Sequence, residues 1–242
     1  MMNHDSKVSC IMVTQRSRLA LARRAIEAFQ AQTYPNRELV VVSEDMSYHD
    51  HQKPLPPGSL FIELPSFRPS IVGDLNQGVC ERNWNWTVGE MRNIAVSRAS
   101  GDFIATWDDD DLHHPERLAQ QMDALLTSNK PLCGLLQMTV AWPLRNRYGI
   151  TMASNKTGWE PTFITRRNRL GIYPAQNRGE ALLTSVMLDV FLLKAPELYT
   201  YVIHGANTHD ETHFETLWSF AMEKRFDPDS EESRNLASRV KI

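Results

Sequence analysis

The chain has 242 residues, of which 42% are hydrophobic, and its 26 basic and 29 acidic side chains give a formal net charge of -3. This length and apolar content suffice for one large α/β domain or two small ones, and we expect a single domain over residues 1–242. The near-neutral charge argues against nucleic acid as a partner. No apolar run approaches the roughly 18 residues of a membrane span, so we expect no transmembrane segment, although peripheral membrane contact remains open.

The three cysteines, Cys10, Cys80 and Cys133, are widely separated in the chain. Their odd number and their spacing argue against a disulfide framework and against a cysteine zinc site. Free thiols are typical of proteins in a reducing compartment, so we expect a cytoplasmic protein.

The first part of the chain has the pattern of a βαβ unit. The apolar run 8–13 predicts a buried strand, and apolar residues at helical spacing over 19–29 predict a helix. The β-branched run 38–42 is typical of a central parallel strand. Residues 46–80 are rich in proline, glycine and polar side chains, so they predict a loop that contains one short strand at 60–64.

A second strand-helix alternation follows. Apolar residues on one face predict a helix over 88–95 that stops at Ser100-Gly101, and the apolar run 103–107 predicts the next strand. A helix is predicted from Pro115 to Leu125, and a strand over 132–140.

The remainder of the chain is less periodic. It contains a polar and basic stretch over 145–178, then a predicted helix over 182–191, a strand over 199–203 and a helix over 214–222. The charged tail 227–242 is expected to be loosely held.

Four consecutive aspartates, Asp108 to Asp111, directly follow the strand predicted at 103–107. Their mutual repulsion at the end of a buried strand is costly unless a cation or hydrogen-bond donors offset it. Carboxylate oxygens suit hard divalent ions such as Mg²⁺ or Mn²⁺, and ligands in α/β sheets bind at the carboxyl ends of strands. Acidic residues are also favoured before a helix that begins near Pro115, which explains one or two of the four. The whole run predicts a metal site.

The order of several short motifs resembles the inverting glycosyltransferases of family 2, which have the GT-A fold. The segments that carry the resemblance lie between residues 7 and 128, and they are Ala31-Gln32-Thr33-Tyr34-Pro35, Glu38 to Val42, Glu44-Asp45, Gly89-Glu90-Met91-Arg92-Asn93, Ala99 to Ile104 and Trp107 to Asp111. The resemblance implies an α/β domain whose mixed, mostly parallel sheet is flanked by helices. Residues 7–128 would then form the nucleotide-sugar-binding half, 129–226 the acceptor-side half and 227–242 a polar tail.

The resemblance implies a divalent ion, Mn²⁺ or Mg²⁺, that stabilises the charge on a leaving nucleoside diphosphate. In the family's D-x-D pattern, Asp108 would approach the nucleotide ribose or the metal, and Asp110 would contact the metal. Asp109 is assigned to the donor site with them, while Asp111 is either a helper or a helix-start residue. His204 is a further metal-ligand candidate from the C-terminal half, since a histidine closes the metal or diphosphate site in some GT-A enzymes.

Other positions match the family's contacts to the donor. Thr14 ends the first strand, and Glu44 and Asp45 follow the second long strand, where the family contacts the nucleobase and ribose. The family usually has Asp-Asp-Gly-Ser at this place, whereas this chain has Glu44-Asp45-Met46-Ser47. Either Glu44 or Asp45 could therefore make the contact. Arg92 and Asn93 match an Arg-Asn pair beside the donor, and a guanidinium can hold a phosphate with two parallel hydrogen bonds.

An inverting transfer also needs a general base that takes the proton of the acceptor hydroxyl. The family commonly supplies it from a Glu-Asp pair preceded by glycine, and the matching place here reads Gly179-Glu180-Ala181. Glu180 could act from one position earlier, or Asp189 or the pair Asp210-Glu211 could reach the site. The alternative for Glu180 is a solvated acid at a helix N-terminus.

The histidines suggest a different class of protein. His209 and His213 are spaced i, i+4 and His204 lies nearby, as in zinc hydrolases, although the His-Glu-x-x-His pattern is missing. A metal-dependent hydrolase that uses the aspartates and histidines is therefore one alternative. A non-catalytic sugar-nucleotide binding protein is another, because Ala181 replaces an expected acid. His113 and His114 are expected to begin the helix that follows the aspartates.

The expected partners are a UDP- or GDP-sugar donor and a glycan, lipid-linked or protein acceptor. Trp159, beside Glu160, is the preferred acceptor-side aromatic, since such a pocket is usually apolar with a few polar groups. Arg166, Arg167 and Arg169 either favour an anionic acceptor or form a solvated basic edge.

Overall fold

The structure is a computed structural model that describes residues 5–45, 55–65, 86–153, 157–177, 189–207, 209 and 211–240. The helices are α1 (Leu19–Gln30), α2 (Val88–Arg98), α3 (Arg117–Ser128), α4 (Glu211–Phe220) and α5 (Glu231–Arg239). The first six strands are β1 (Val8–Gln15), β2 (Arg37–Glu44), β3 (Leu60–Leu64), β4 (Phe103–Thr106), β5 (Leu112–His113) and β6 (Leu132–Leu135). The others are β7 (Gln137–Trp142), β8 (Arg147–Met152), β9 (Trp159–Arg166), β10 (Val190–Leu193), β11 (Tyr199–Val202) and β12 (Met222–Arg225).

The larger of two sheets has the strand order β10-β6-β9-β4-β1-β2-β3 across the described part of the chain. β4, β1, β2 and β3 are mutually parallel, whereas β9 is antiparallel to both of its neighbours. The carboxyl ends of β1, β2 and β4 therefore lie at one edge of the sheet. In an open α/β sheet, this edge is where ligands bind.

The smaller sheet has the order β12-β8-β7-β11-β5, and its strands are antiparallel except for the pair β7 and β11. Its edge strand β5 immediately follows Asp111 in the chain and pairs with β11. The aspartates therefore lie at the junction between the two sheets.

Both faces of the larger sheet are covered, which explains the continuous apolar runs of its central strands. Cys10 and Met12 of β1 pack with α1 and α3 on one face, while Ile11 packs with α2 on the other. The same alternation holds in β2, where Val41 lies on the first face and Val40 on the second. Within the described ranges, no helix is both long and apolar enough to cross a membrane.

Every element predicted before residue 128 is present within a few residues of its expected bounds. The short strand β5 was not predicted, and the other differences described here lie in the second half. The predicted strand 132–140 is two strands, because the chain leaves the larger sheet after Leu135 and enters the smaller one at Gln137. The stretch 145–178 contains β8 and β9. The end of the helix predicted over 182–191 is wrong, since Val190 and Phe191 lie in β10, and residues 182–188 fall outside the described residues.

The tail is also better ordered than we expected from its charge. Residues Glu231–Arg239 form α5, and Ser230 accepts a hydrogen bond from the Ser233 amide at its N-terminus. Leu236 and Val240 are buried in an apolar cluster with residues of the smaller sheet. Leu236 and Val240, four residues apart, therefore place one side of this otherwise polar helix against the smaller sheet.

Near the amino-terminal ends of β1 and β2, on the opposite side of the larger sheet from the aspartates, Glu38 forms a buried charged network. Its carboxylate accepts hydrogen bonds from the Ser9 hydroxyl at 2.5 Å and from the Ser100 amide at 2.6 Å, and it pairs with the Lys7 ammonium at 2.6 Å. Burial alone would raise the pKa of Glu38, but the hydrogen bonds from Lys7, Ser9 and Ser100 outweigh it and lower that pKa to about 2. The carboxylate therefore joins β1, β2 and the end of α2 in its charged form.

Glu38→Gln should lower the free energy of unfolding at pH 7 by about 1.5–3 kcal/mol, because hydrogen bonds to a charged group are lost. A depressed pKa stabilises the fold above the unfolded-state value, and that stabilisation disappears as the pH falls from about 4.5 towards 2. Denaturant unfolding at pH 7 and pH 3 should thus show a smaller difference between the two proteins at pH 3. Glu63→Gln, at an exposed position of β3, is the control. An equal difference at both pH values would contradict this assignment.

Candidate active site

A cleft of ≈ 380 Å³ lies at the carboxyl ends of β1, β2 and β4. The N-terminal half contributes Val13, Thr14, Gln15, Arg18, Glu44, Trp86, Val88, Met91, Arg92, Asp108, Asp109 and Asp110 to its lining. The C-terminal half contributes Glu160, Pro161, Asn177, Tyr201, Asn207 and His209. The cleft is therefore built by both halves of the chain and is lined by charged side chains of both signs.

Arg92 and Asp108 form an ion pair in this cleft, with 2.9 Å between Nη2 and Oδ1. Arg92 is buried on α2. Its helix begins at a capping box in which Thr87 and Glu90 bond to each other's backbone amides. This capping fixes the first turn of α2 and hence the direction from which the guanidinium enters the cleft.

The segment 173–177 locks α2 in place. Asn93 donates to the Tyr173 carbonyl at 2.8 Å and accepts from the Tyr173 amide at 2.9 Å, so its side chain is used structurally and does not line the cleft. The Gly89 amide donates to the Gln176 carbonyl, and a Cβ on Gly89 would lie only 1.9 Å from the Pro174 carbonyl oxygen. The first turn of α2 therefore touches this segment backbone to backbone.

Arg18 holds the next two aspartates. Its Nε and Nη2 lie 3.0 and 2.6 Å from Asp109 Oδ1, and Nη2 also lies 2.5 Å from Asp110 Oδ2. Asp109 accepts a further hydrogen bond from the Thr14 hydroxyl at 2.6 Å. The guanidinium also donates to the carbonyl of Ala206 at 3.3 Å, so it spans from the start of α1 to the C-terminal half.

Asp110 also contacts the C-terminal half directly. His204 Nε2 lies 3.1 Å from Asp110 Oδ2, and the histidine side chain is 4% exposed. The backbone carbonyl of Asp110 accepts a hydrogen bond from Arg24 at 2.6 Å. The predicted pair of Asp110 and His204 is therefore brought together, with Arg18 against the same carboxylate oxygen.

Asp111 has a structural position. It is 1% exposed and accepts hydrogen bonds from the Tyr199 hydroxyl and, at 2.8 Å, from the Val202 amide. Burial, and then the negative charges of Asp110 and Asp108, raise the pKa of Asp111 well above its usual range. The residue fastens the aspartate run to β11 rather than facing the cleft.

His113 does not begin a helix, contrary to expectation. It is buried in β5 and stacks on Trp107 with ring centroids 3.8 Å apart. Arg117 donates to His113 Nδ1 at 2.6 Å, and since a guanidinium only donates, His113 Nε2 carries the hydrogen that goes to the Asp108 carbonyl at 3.0 Å. Burial, followed by the Arg117 charge, lowers the pKa of His113 well below its usual value, so the imidazole is neutral.

Arg117 fixes the floor of the site. Its fully buried guanidinium donates to the carbonyls of Thr106 at 3.0 Å and Pro161 at 3.1 Å, and it packs over the rings of Trp107 and Tyr199. Thr106 ends β4 just before the aspartates, and Pro161 follows Glu160 in β9. One buried cation thus sets the spacing between the two strand segments that carry acids into the cleft.

The predicted nucleobase and ribose contacts are only partly in the cleft. Thr14 and Glu44 line it, and burial together with the charge of Asp45 raises the pKa of Glu44. Asp45 is not among the lining residues; it adopts a left-handed backbone conformation with φ 55, and its carbonyl accepts from Arg16. Glu44 is therefore the better placed of the two acids.

Of the predicted bases, the structure describes Glu211 and Asp189. Glu180 and Asp210 lie outside the described residues. Glu211 is paired with Arg145 on the surface, with 62% of its side chain exposed, and Asp189 pairs with Lys130 and is 69% exposed. Neither Glu211 nor Asp189 lines the cleft, so their positions do not support a role for either acid as the general base.

His209 lines the cleft and stacks on His213 with ring centroids 4.0 Å apart. Among the residues that the structure describes, however, no three His, Cys, Asp or Glu side chains converge as a group that could hold a metal. Within the described residues, His209 and His213 therefore form a stacked pair of rings and do not belong to a three-ligand zinc site.

The aromatic and basic residues of β9 are also placed differently from expectation. Glu160 lines the cleft, whereas Trp159, on the other side of the strand, packs with the core of the smaller sheet. Arg166 lies opposite Phe103, at the far end of β4 from the aspartates. The basic residues that follow it in the chain thus belong to a surface remote from the cleft.

Arg18 and Glu160 are charged lining residues that the sequence analysis did not assign to the site. Arg18 follows the first strand closely, but its partners lie about 90 positions away, so only the need to neutralise the aspartates could have pointed to it. Glu160 precedes a strand-like run in the manner of many solvated acids. Glu160 enters the cleft because β9 lies between β4 and β6 in the larger sheet, a placement that the local sequence does not predict.

Asp111→Ala should lower the free energy of unfolding by roughly 2–4 kcal/mol, because the buried Tyr199 hydroxyl and Val202 amide both lose their acceptor. Asp111→Asn should cost less than about 1.5 kcal/mol, since the amide oxygen still accepts from Val202 and the amide nitrogen can donate to the Tyr199 oxygen. Chemical denaturation of the two variants and the wild type provides the measurement. If Asn destabilises as much as Ala, the charge of Asp111 is needed and our structural assignment is wrong.

Comparison with known proteins connects this site to a family. The glycosyl transferase family 2 model matches residues 71–178, a segment that includes Arg92, Asp108 to Asp110 and Glu160. The match confirms the resemblance predicted from the sequence. No curated protein matches the chain.

Solved structures support the same fold. The crystal structure of S. aureus TarS has a TM-score of 0.58 at 16% identity, over 89% of this chain and 44% of that one. S. aureus TarS 1-349 in complex with UDP-GlcNAc has a TM-score of 0.56 at 14% identity, over 89% and 73% of the two chains. The mannosyltransferase PcManGT from Pyrobaculum calidifontis, in complex with GDP-Man and Mn²⁺, has a TM-score of 0.50 at 14% identity, over 86% and 59%.

This chain spans less than half of the full TarS chain and 59% of PcManGT. At such identities the similarity establishes the fold, and it confirms the predicted GT-A-like α/β architecture with a mostly parallel sheet. The family match over residues 71–178 and the shared fold are the two findings that bear on the function of this cleft.

Proposed function

We propose that this protein is an inverting, divalent-metal-dependent glycosyltransferase that moves a sugar from a nucleotide-sugar donor to an acceptor hydroxyl. The observation that carries the proposal is the cleft at the carboxyl ends of β1, β2 and β4, where Arg92 and Arg18 are paired with consecutive aspartates. A diphosphate needs cations, and the family-matched segment supplies the Arg92-Asp108 pair at that edge.

The donor set at Asp110 fits a hard divalent cation. Asp110 Oδ2 and His204 Nε2 converge, and a cationic guanidinium from Arg18 already lies against the same oxygen. Mg²⁺ and Mn²⁺ sites in such enzymes use one or two carboxylates, and water and substrate phosphates provide the other ligands. Two protein ligands are therefore compatible with this role, and when bound the ion would stabilise the charge that develops on the leaving diphosphate.

We assign the remaining steps to residues of the chain. Arg92 offers a planar fork to one phosphate, and Glu44 and Thr14 lie on the side where β1 and β2 would meet the nucleoside. The neighbours bind UDP, UDP-GlcNAc or GDP-Man, which supports a UDP- or GDP-sugar as the donor. The acceptor would enter from the side of Glu160 and Tyr201, which belong to the C-terminal half.

We also propose a cytoplasmic location for a chain that acts as a single domain. Cys10 and Cys133 are free and buried, which suits a reducing compartment, and burial raises the pKa of each thiol to about 12. The cleft takes side chains from residues 13–18 and from residues 160–209, so neither half completes the site alone.

Transfer should require Mn²⁺ or Mg²⁺ and should be abolished by excess chelator. Asp110→Asn should lower turnover by about 10²-fold or more, the usual cost of removing one electrostatic group from a transition state. Its folding stability should fall less than that of Asp111→Ala, because removing one of four adjacent carboxylate charges relieves repulsion while Arg18 keeps its bonds to Asp109. The measurements are initial rates with UDP- and GDP-sugars and thermal unfolding of each variant.

Asp189→Asn is the matched control, since this exposed acid lies outside the cleft and should keep wild-type rates. Full activity of Asp110→Asn would remove its role. Release of free sugar from a finished glycan, without donor use, would favour the hydrolase alternative. Tight nucleotide-sugar binding without turnover by the wild type would favour a binding protein.

For the general base we propose Glu180, on the strength of the family motif, and we assign Glu160 to binding of a sugar or acceptor hydroxyl. Glu180→Gln should leave donor binding intact, lower kcat by roughly 10²–10⁴-fold and remove the acidic limb of the pH–rate profile. Glu160→Gln should mainly raise KM for the acceptor. Steady-state kinetics across pH test both, and the reverse pattern would make Glu160 the base.

A further inference from the structure

Arg18 occupies an unusual position for a residue beside a cation site. Its guanidinium lies between two consecutive carboxylates, with three hydrogen bonds to Asp109 and one contact of 2.5 Å to Asp110. Only 18% of its side chain is exposed, and it lines the cleft. Its Nη1 also reaches the carbonyl of Ala206, two residues after His204.

These contacts are unequal for the two aspartates. Asp109 is 3% exposed, is bonded by Thr14 as well, and faces two nitrogens of the guanidinium. Asp110 shares only Nη2, and the same Oδ2 atom also faces His204 Nε2. Arg18 is therefore anchored on Asp109 and reaches over to the one oxygen that also meets an imidazole nitrogen.

We propose that Arg18 is a resident cation that competes with the divalent ion for Asp110. Without metal, its guanidinium neutralises Asp109 and Asp110 together and keeps the aspartate run folded. If the ion bound at Asp110 and His204, the contact between Arg18 Nη2 and Asp110 would be lost, whereas the hydrogen bonds from Arg18 to Asp109 would be kept. This inference rests on the proposed function, because it takes the metal at Asp110 as its premise.

The direction of the effect follows from Coulomb's law. A fixed positive charge beside Asp110 repels an incoming divalent ion and must also give up one ion pair. Removing that charge should therefore tighten metal binding, although it exposes the metal-free protein to repulsion between carboxylates. A residue that merely held Asp109 and Asp110 in ligating geometry would have the opposite effect, since its loss would weaken metal binding.

The test is titration calorimetry with Mn²⁺, in the absence and presence of UDP or GDP, on the wild type, Arg18→Met and Arg18→Lys. Arg18→Met should bind Mn²⁺ roughly tenfold more tightly or better than the wild type. Arg18→Lys, which keeps the charge without the two-sided fork, should lie between them. Arg16→Met removes the same charge two positions away, where the guanidinium contacts the Asp45 carbonyl, and should bind Mn²⁺ as the wild type does.

Thermal unfolding provides a second readout that does not depend on turnover. Arg18→Met should melt below the wild type in excess chelator, and saturating Mn²⁺ should shrink or reverse that difference, because the ion replaces the lost charge. If Arg18→Met fails to fold without metal, Arg18→Lys carries the comparison.

The outcomes separate the two hypotheses. Weaker Mn²⁺ binding by Arg18→Met than by a wild type that binds Mn²⁺ would overturn the competition while leaving metal-dependent transfer intact. Equal binding by the two proteins would overturn it as well. If the wild type binds no Mn²⁺ with or without nucleotide, both the competition and the metal dependence fail, and sugar transfer itself is then judged from its rates in chelator.

Discussion

The fold must offset the repulsion among the four adjacent carboxylates of Asp108 to Asp111. Each acid is offset by a group from a distant part of the chain: Arg92 on α2, Arg18 at the start of α1, His204 after β11, and Tyr199 within it. None of these partners is a neighbour in sequence. The aspartate run can therefore be accommodated only after both sheets and their helices have assembled, so the charge that equips the cleft also makes it depend on the complete fold.

The sequence predicted the elements of the first half well because their pattern reflects packing on both faces of a parallel sheet. Continuous apolar runs such as 39–42 are typical of strands whose two faces are both covered by helices. The same reasoning could not divide 132–140 into β6 and β7, since both strands are apolar and the change of sheet at Leu136 has no local signal. Residues 162–165 are strand-like in sequence, but the antiparallel insertion of β9 between β4 and β6 is a property of the tertiary topology, and the sequence does not predict it.

The site was predicted where chemistry is local and missed where it is not. Motif order placed Thr14, Glu44, Arg92 and Asp108 to Asp110, all of which line the cleft. Motif order also assigned Asn93 to the donor site, but the Asn93 side chain is hydrogen-bonded to the backbone of Tyr173 instead. Arg18 pairs with aspartates about 90 positions away, and Arg117 joins the carbonyls of Thr106 and Pro161. These contacts depend on which strands are neighbours in the folded protein, and a single sequence does not show which strands are neighbours.

The close contact at Gly89 has a mechanical consequence for ligand binding. The first turn of α2 contacts residues 174–176 through backbone atoms. Asn93 also donates a hydrogen bond to the Tyr173 carbonyl and accepts one from the Tyr173 amide, so the helix and this segment are joined at two places. Arg92 on the helix and Asn177 at the end of the segment both line the cleft. Asn177 also accepts a hydrogen bond from the Val88 amide at 2.9 Å. A ligand that displaces α2 through Arg92 should therefore carry Asn177 with it, so these two parts of the lining should move together rather than independently.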